Sequence, residues 1–320
     1  MQAIAGLEAR VYAPHPLHGA SRDWAETNCS VDLMIELVAS LGRAPEAALG
    51  VTAALDFEGD QFTFFKLASE DLRDLCGIEI QELSLYDDLL GHMETQIARG
   101  RVVLVEVDAW RLPDTAGVSY RLEHSKTTIG VNRLDRAARS IGYFHNAGYF
   151  DLEGEDFDGL FPSARDGLPL FPYCEIARIG APPSGDVAAL AARRLAGHVS
   201  RAPRDNPFAE FAARLDQDAA ALAGRAPAAF HKYAFNTLRQ AGANFELLAA
   251  HLDWLAQNGQ GDFSAAREGA LAIAARAKAL QFQLARAVTR RRTQGLAAQV
   301  EPLEQAWTRA IGALRREIAP

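Results

Sequence analysis

Glu26-Thr27-Asn28-Cys29-Ser30 opens the stretch on which the reading of this chain turns. Beyond it, Val31, Met34, Ile35, Val38 and Leu41 recur at helical spacing, and Gly42 with Pro45 supplies a stop. The spacing predicts a helix that begins at a cysteine. Thr27 or Asn28 suits the cap, and the free amide N–H groups and positive dipole end of a helix stabilise a thiolate at that position. A single cysteine near a helix start also serves as small core filler, so the two roles have to be separated by what else the chain carries.

Composition narrows the field. A chain of 320 residues can hold two domains, each with its own core. Its apolar and charged fractions, 49% and 23%, are ordinary for a globular protein, and no apolar run approaches the ~20 residues of a membrane helix. The first residues, Met1 to Pro14, show no cationic and apolar leader pattern, which sets a cytoplasmic location as the expectation. Cys29, Cys76 and Cys174 are too few and too scattered for a disulfide framework or a zinc knuckle, so no metal site is expected. The net charge of −8 argues against a general nucleic-acid binder.

The chain changes texture near its middle. To about Phe171 it mixes helical periodicity with alternating or continuous apolar runs. Beyond Pro182-Pro183 it is alanine-rich and helical in period nearly throughout. The expected organisation is α+β: a domain over residues 1–172 with a mixed or antiparallel sheet, a joint near Pro169 to Ser184, and an all-α helical bundle over residues 185–320. In the first domain Gln61 to Leu67 is expected as a strand, Ile78 to Leu83 as a half-buried strand, Tyr86 to Arg99 as a helix and Val102 to Asp108 as the central strand. Ser125 to Val131 and Ile141 to Asn146, joined by a turn at Asp135-Arg136-Ala137, form a hairpin. In the second domain five helices are expected, near Val187 to Val199, Pro207 to Leu222, Ala228 to Leu255, Ala265 to Arg292 and Val300 to Ile318.

A nucleophilic thiol needs a base within reach and a third group to hold the imidazole in the right tautomer. Cys29, His124 and Asn146 supply that set, because His124 enters the first strand of the hairpin and Asn146 leaves the second, at neighbouring ends of an antiparallel pair. His145 is a rival base, but strand alternation points it to the face opposite Asn146. Asp108, at the end of the central strand, is an alternative orienter, a substrate-amine ligand or a solvated carboxylate. The Cys29 backbone N–H is the first oxyanion donor, with Asn28 and Trp24 as candidates for the second.

The order Cys29, Val102 to Asp108, His124 to Val131, Asn146 resembles the papain-like cysteine superfamily. The branch concerned contains double-glycine leader peptidases and the N-terminal domain of the butirosin-biosynthesis acyltransferase. Over its whole length the chain looks like a bacterial domain family of unknown function that tends to be encoded near stand-alone amino acid:carrier-protein ligases. The segments behind that likeness are Glu26-Thr27-Asn28-Cys29, Leu55-Asp56-Phe57-Glu58-Gly59-Asp60-Gln61, Leu104-Val105-Glu106-Val107-Asp108 and Gly142-Tyr143-Phe144-His145-Asn146-Ala147-Gly148-Tyr149. The resemblance implies a cysteine-dependent acyl or aminoacyl transferase with no bound cofactor. It would take its acyl group from the phosphopantetheine thioester of a carrier protein, form an acyl-enzyme on Cys29 and deliver to a small-molecule or peptide acceptor. The same residues would serve a thioesterase, amidase or peptidase, and a non-catalytic scaffold for a carrier protein is the other class to weigh. A carrier protein is typically acidic, which makes Arg286, Arg290 and Arg291, beside Arg292 on a late helix, the candidate docking patch. The acidic stretches Asp56 to Asp60 and Asp151 to Asp158 lack calcium-loop spacing.

Overall fold

The computed structural model describes residues 1–161 and 170–318, which form two compact units. One comprises Met1–Pro16, Asn28–Pro45 and Ser69–Pro183, the other Leu17–Thr27, Glu46–Ala68 and Ser184–Pro320. Two N-terminal segments, including a 3-10 helix over Pro45–Ala54, therefore belong with the C-terminal helices.

The first unit is built on an antiparallel sheet of β1 (Ile78–Glu82), β2 (Arg101–Asp108), β3 (Lys126–Asp135), β4 (Ser140–His145), β5 (Gly148–Glu153) and β6 (Cys174–Ile179), in the order β1-β6-β2-β3-β4-β5. The apolar run Val102–Val105 is buried because β2 lies inside the sheet, between β6 and β3, with both faces covered. On one face Val103, Val105, Val107, Ile129, Val131, Ile141 and Tyr143 pack with Leu89, Met93 and Ile97 of α3 (Leu89–Ala98). On the other lies α1 (Cys29–Ser40): a Cβ built on Gly130 would stand 3.4 Å from each of Leu33, Leu104 and Val102. Tyr12 closes that side, with its ring against Phe144 and Tyr149 and its hydroxyl donating to buried Glu36 at 2.6 Å. Two short helices, α2 (Ser69–Cys76) and α4 (Glu155–Leu160), complete the unit.

The second unit holds α5 (Val187–Arg201), α6 (Pro207–Leu222), α7 (Pro227–Ala234), α8 (Gln240–Gln257), α9 (Ser264–Arg290) and α10 (Glu301–Glu317). A π-helical turn, Phe235–Arg239, joins α7 to α8, so the long helix expected over Ala228 to Leu255 is one run with a local register change. The chain is thus α+β, with a helical C-terminal region and, among the described residues, one antiparallel sheet. Gln61 to Leu67 corrects the expectation of a strand: it contributes one isolated bridge, Phe57 to Phe62. Its phenylalanines serve the helical core instead, where the Phe57, Phe62, Phe208 and Phe211 rings meet with centroids 5.1–5.8 Å apart. Aromatic spacing that reads as a pleat is overridden here by tertiary packing. No helix among the described residues is long and apolar enough to cross a membrane.

The second unit contains a close approach that only glycine permits. Trp24 is buried, its indole N–H donates to the Ala274 carbonyl at 3.0 Å, and a Cβ on Gly242 would fall 2.4 Å from that indole nitrogen. The indole is rigid and fixed at both ends, so it has no room to retreat. Gly242→Ala should cost roughly 1–3 kcal/mol of stability, the usual cost of overpacking, read as a lowered denaturant midpoint. An unchanged midpoint would mean that the indole moves freely.

Candidate functional site

Cys29 is the first residue of α1 and is half-buried, whereas Cys76 and Cys174 are buried. The helix starts there because Asn28 is extended, with its carboxamide oxygen accepting from Ser30 N at 3.1 Å and Val31 N at 3.0 Å. Asn28 thus completes the cap. Trp24, whose N–H is held by Ala274, is a packing residue of the second unit. Burial pushes the Cys174 thiol up to about 12, so at neutral pH that sulfur is protonated as well as covered.

His124 precedes β3 and is largely exposed. Its Nδ1 lies 2.5 Å from Asp108 Oδ2, and its ring stacks on Trp110 with centroids 5.5 Å apart and planes 11° from parallel. The other carboxylate oxygen of Asp108 accepts from Trp110 N at 3.1 Å and Ser125 N at 3.2 Å, so two backbone amides anchor the carboxylate. Burial opposes its ionisation, but the hydrogen bond from His124 and those from Trp110 and Ser125 outweigh it and hold Asp108 below the usual aspartate range. With Nδ1–H directed to the carboxylate, Nε2 of a neutral ring is left as the basic nitrogen.

The register explains how Asp108 and His124 meet. Asp108 pairs with Lys126 and Leu104 with Gly130, so Glu106 and Asp108 share the α1 side of the sheet with Lys126 and Thr128. His145 shares its parity with Tyr143 and turns to the opposite side. There its Nδ1 contacts Asp114 Oδ2 at 2.5 Å, its Nε2 contacts Thr127 Oγ1 at 2.8 Å, and the Tyr143 hydroxyl donates to Asp114 Oδ1 at 2.5 Å. Both nitrogens of that buried ring are engaged, which suits a structural bridge between strands and loop. Asn146 occupies the two-residue turn between His145 and Gly148 and has a left-handed φ of 43°, a conformation that asparagine adopts more readily than most residues. No hydrogen bond among the described residues joins Asn146 to His124, or Cys29 to either of them.

A cavity of about 560 Å³ opens beside this pair. His124, Asp108, Glu106 and Lys126 line one part, and the Lys126 ammonium lies 2.6 Å from the Glu106 carboxylate. Among the described residues no group of three or more histidine, cysteine, aspartate or glutamate side chains could hold a metal ion. Trp110 and Asp114, which fix the two histidines, carry no periodicity or motif that marks them in the sequence. The candidate docking arginines Arg286, Arg290 and Arg291 are exposed at the end of α9, where Arg291 takes a left-handed φ of 54°.

Comparison with curated proteins finds no match to this chain. The DUF1839 N-terminal domain matches residues 13–179 and the DUF1839 C-terminal domain residues 186–316. The break between them falls where the sheet unit ends after β6, and the chain belongs to the DUF1839 family.

Proposed function

We propose that this protein is a cysteine-dependent acyltransferase of papain-like architecture, with Cys29 as nucleophile, His124 as base and Asp108 as the group that orients the imidazole. The observation that carries this reading is the Asp108–His124 pair, held to the backbone by two amides and to Trp110 by stacking, on a sheet whose same face is covered by the helix that Cys29 begins. A helix N-terminus, a carboxylate-oriented imidazole and a half-buried thiol are the parts that thiolate chemistry needs.

In the proposed reaction the Cys29 proton passes to His124 Nε2 and the thiolate attacks a thioester carbonyl. The oxyanion is met by the Cys29 backbone N–H, and the thiol of the donor leaves with the proton from His124. An amine or hydroxyl acceptor, deprotonated by His124, then attacks the Cys29 thioester and releases the sulfur. The donor is a phosphopantetheine thioester on an acidic carrier protein in the cytoplasm, engaged through Arg286, Arg290 and Arg291. Asn146 is assigned to the turn, and the orienting role passes to Asp108.

Intact-mass analysis after incubation with a panel of carrier proteins loaded with plain acyl or aminoacyl groups tests the chemistry. The wild type should gain one acyl mass and Cys29→Ala none; an adduct that persists in Cys29→Ala would place the chemistry elsewhere. Iodoacetamide at neutral pH should modify Cys29 first and Cys174 only after unfolding, because Cys174 is buried and its thiol is raised to about 12. Equal labelling of the folded protein at both positions would remove the basis for choosing Cys29.

The two histidines should separate in their effects. His124→Ala should slow acylation by about 10²–10⁴-fold, the usual contribution of a general base, with little change in melting, since the ring is largely exposed. His145→Ala should instead cost stability, roughly 3–5 kcal/mol if the buried Asp114 carboxylate is left uncompensated, measured by urea unfolding. The reverse pattern would make His145 the functional ring. For Asp108, the pKa is lower in the folded chain than in the unfolded one, so its contribution is complete above about pH 4 and is lost as pH falls through the depressed value. A carboxyl carbon NMR titration of the folded protein should accordingly place Asp108 below ordinary aspartates, and His124→Ala should move it upward.

A further inference from the structure

We infer that the acyl group this enzyme transfers is uncharged and apolar, and that the cavity beside His124 is its receptor. The inference rests on the acyltransferase reading above and names the substrate class of that site.

Three features of the cavity lead to it. Its volume of about 560 Å³ suits a small organic group, and such sites are mostly apolar with a few placed polar atoms. Leu89, Val107, Leu160, Leu170, Phe171 and Pro172 make up half of its lining and bring hydrocarbon to the edge of the Asp108–His124 pair. The charged groups in the lining are matched: Lys126 with Glu106 at 2.6 Å, and His124 with Asp108 at 2.5 Å. A carboxylate-bearing or ammonium-bearing acyl group would have to break one of these pairs or sit beside a like charge. A hydrocarbon chain or ring disturbs neither.

The apolar wall is also wet. Leu170 is 83% exposed and Phe171 41%, so a hydrocarbon ligand laid against them would remove apolar surface from water. Two further cavities among the described residues contrast with this one. One between α6 and α10 residues is lined by Asn206, Glu301, Glu304, Gln305, Thr308 and Arg309, all polar. Another, beside the π-helical turn, carries Arg225 and Lys232 with Asp60. Neither holds an imidazole poised on a carboxylate.

The cavity's preference can be measured without turnover. Cys29→Ala protein, which lacks the nucleophile, is titrated calorimetrically with octanoyl-, acetyl- and succinyl-N-acetylcysteamine. The octanoyl thioester should bind at least ~10-fold more tightly than the other two, a difference of about 1.4 kcal/mol. Phe171→Asp, at an exposed position where the fold should tolerate it, should erase that margin without shifting the melting curve. Equal affinities for all three, tighter succinyl binding, or an octanoyl margin that survives Phe171→Asp would each overturn the inference. Failure of the acyltransferase reading would register separately, as an octanoyl margin in Cys29→Ala with no octanoyl adduct on the wild-type protein. Rapid, indiscriminate acylation of the wild type with no margin in Cys29→Ala would sink the cavity assignment alone.

Discussion

The candidate site depends on the two-sided burial of β2. A strand flanked by β6 and β3 and covered by α3 on one side and α1 on the other cannot slip by one residue, because a slip would exchange Val103, Val105 and Val107 with Val102, Leu104 and Glu106. That would carry the Glu106 carboxylate into the hydrocarbon cluster around Leu89 and Met93, a penalty far larger than any local preference. Register is therefore fixed well inside the sheet. Its end at Asp108 inherits that precision, and so does the strand paired with it, which begins two residues after His124.

Two histidines of this unit sit in contrasting surroundings. His145 lies in β4 on the Tyr143 side, where the strand is buried, and an imidazole there must satisfy both nitrogens or lose the hydration it gave up. Asp114 and Thr127 meet that requirement. His124 stands outside the strand, where water can reach it, and only one nitrogen is fixed. A ring with one nitrogen fixed and the other free can pass a proton. A ring with both engaged must first break a bond that the core has made.

Periodicity made much of this legible. The β2 run, the hairpin of β3 and β4, the helix from Cys29 and the helices after Asp186 announce themselves because each repeats one burial pattern over many residues. The failures share a cause as well. Gln61 to Leu67 carries a strand-like aromatic pattern, but Phe62 is an anchor for a helix distant in sequence. β6 lies in the stretch read as a joint, since Cys174–Ile179 is short and flanked by prolines, and only its partners β1 and β2 make it a strand. For the candidate site, Cys29, His124 and Asp108 stand out by residue type and by position at element ends. The choice of Asp108 over Asn146 as the partner of His124 does not, because it turns on which strand end lies nearest in space. Asn146 has a local reason to be asparagine, the left-handed turn, that has nothing to do with an imidazole.

Trp110 restrains both members of the pair, through its backbone N–H to Asp108 and its ring against His124. An exposed histidine bonded by one nitrogen can still rotate about that bond, and a carboxylate alone does not fix the plane of the ring. Stacking on Trp110 at 11° supplies the missing restraint, and the guanidinium groups of Arg121 and Arg111 lie 4.4 and 4.7 Å from the same indole centroid. Arg121 is in turn held by Asp156 at 2.5 Å, so α4 braces the indole through a charge pair. The imidazole is thus constrained in direction by Asp108 and in plane by Trp110, while its remaining nitrogen is unbonded within the described fold. Preorganisation of that kind is what the proposed role of His124 as a general base would require.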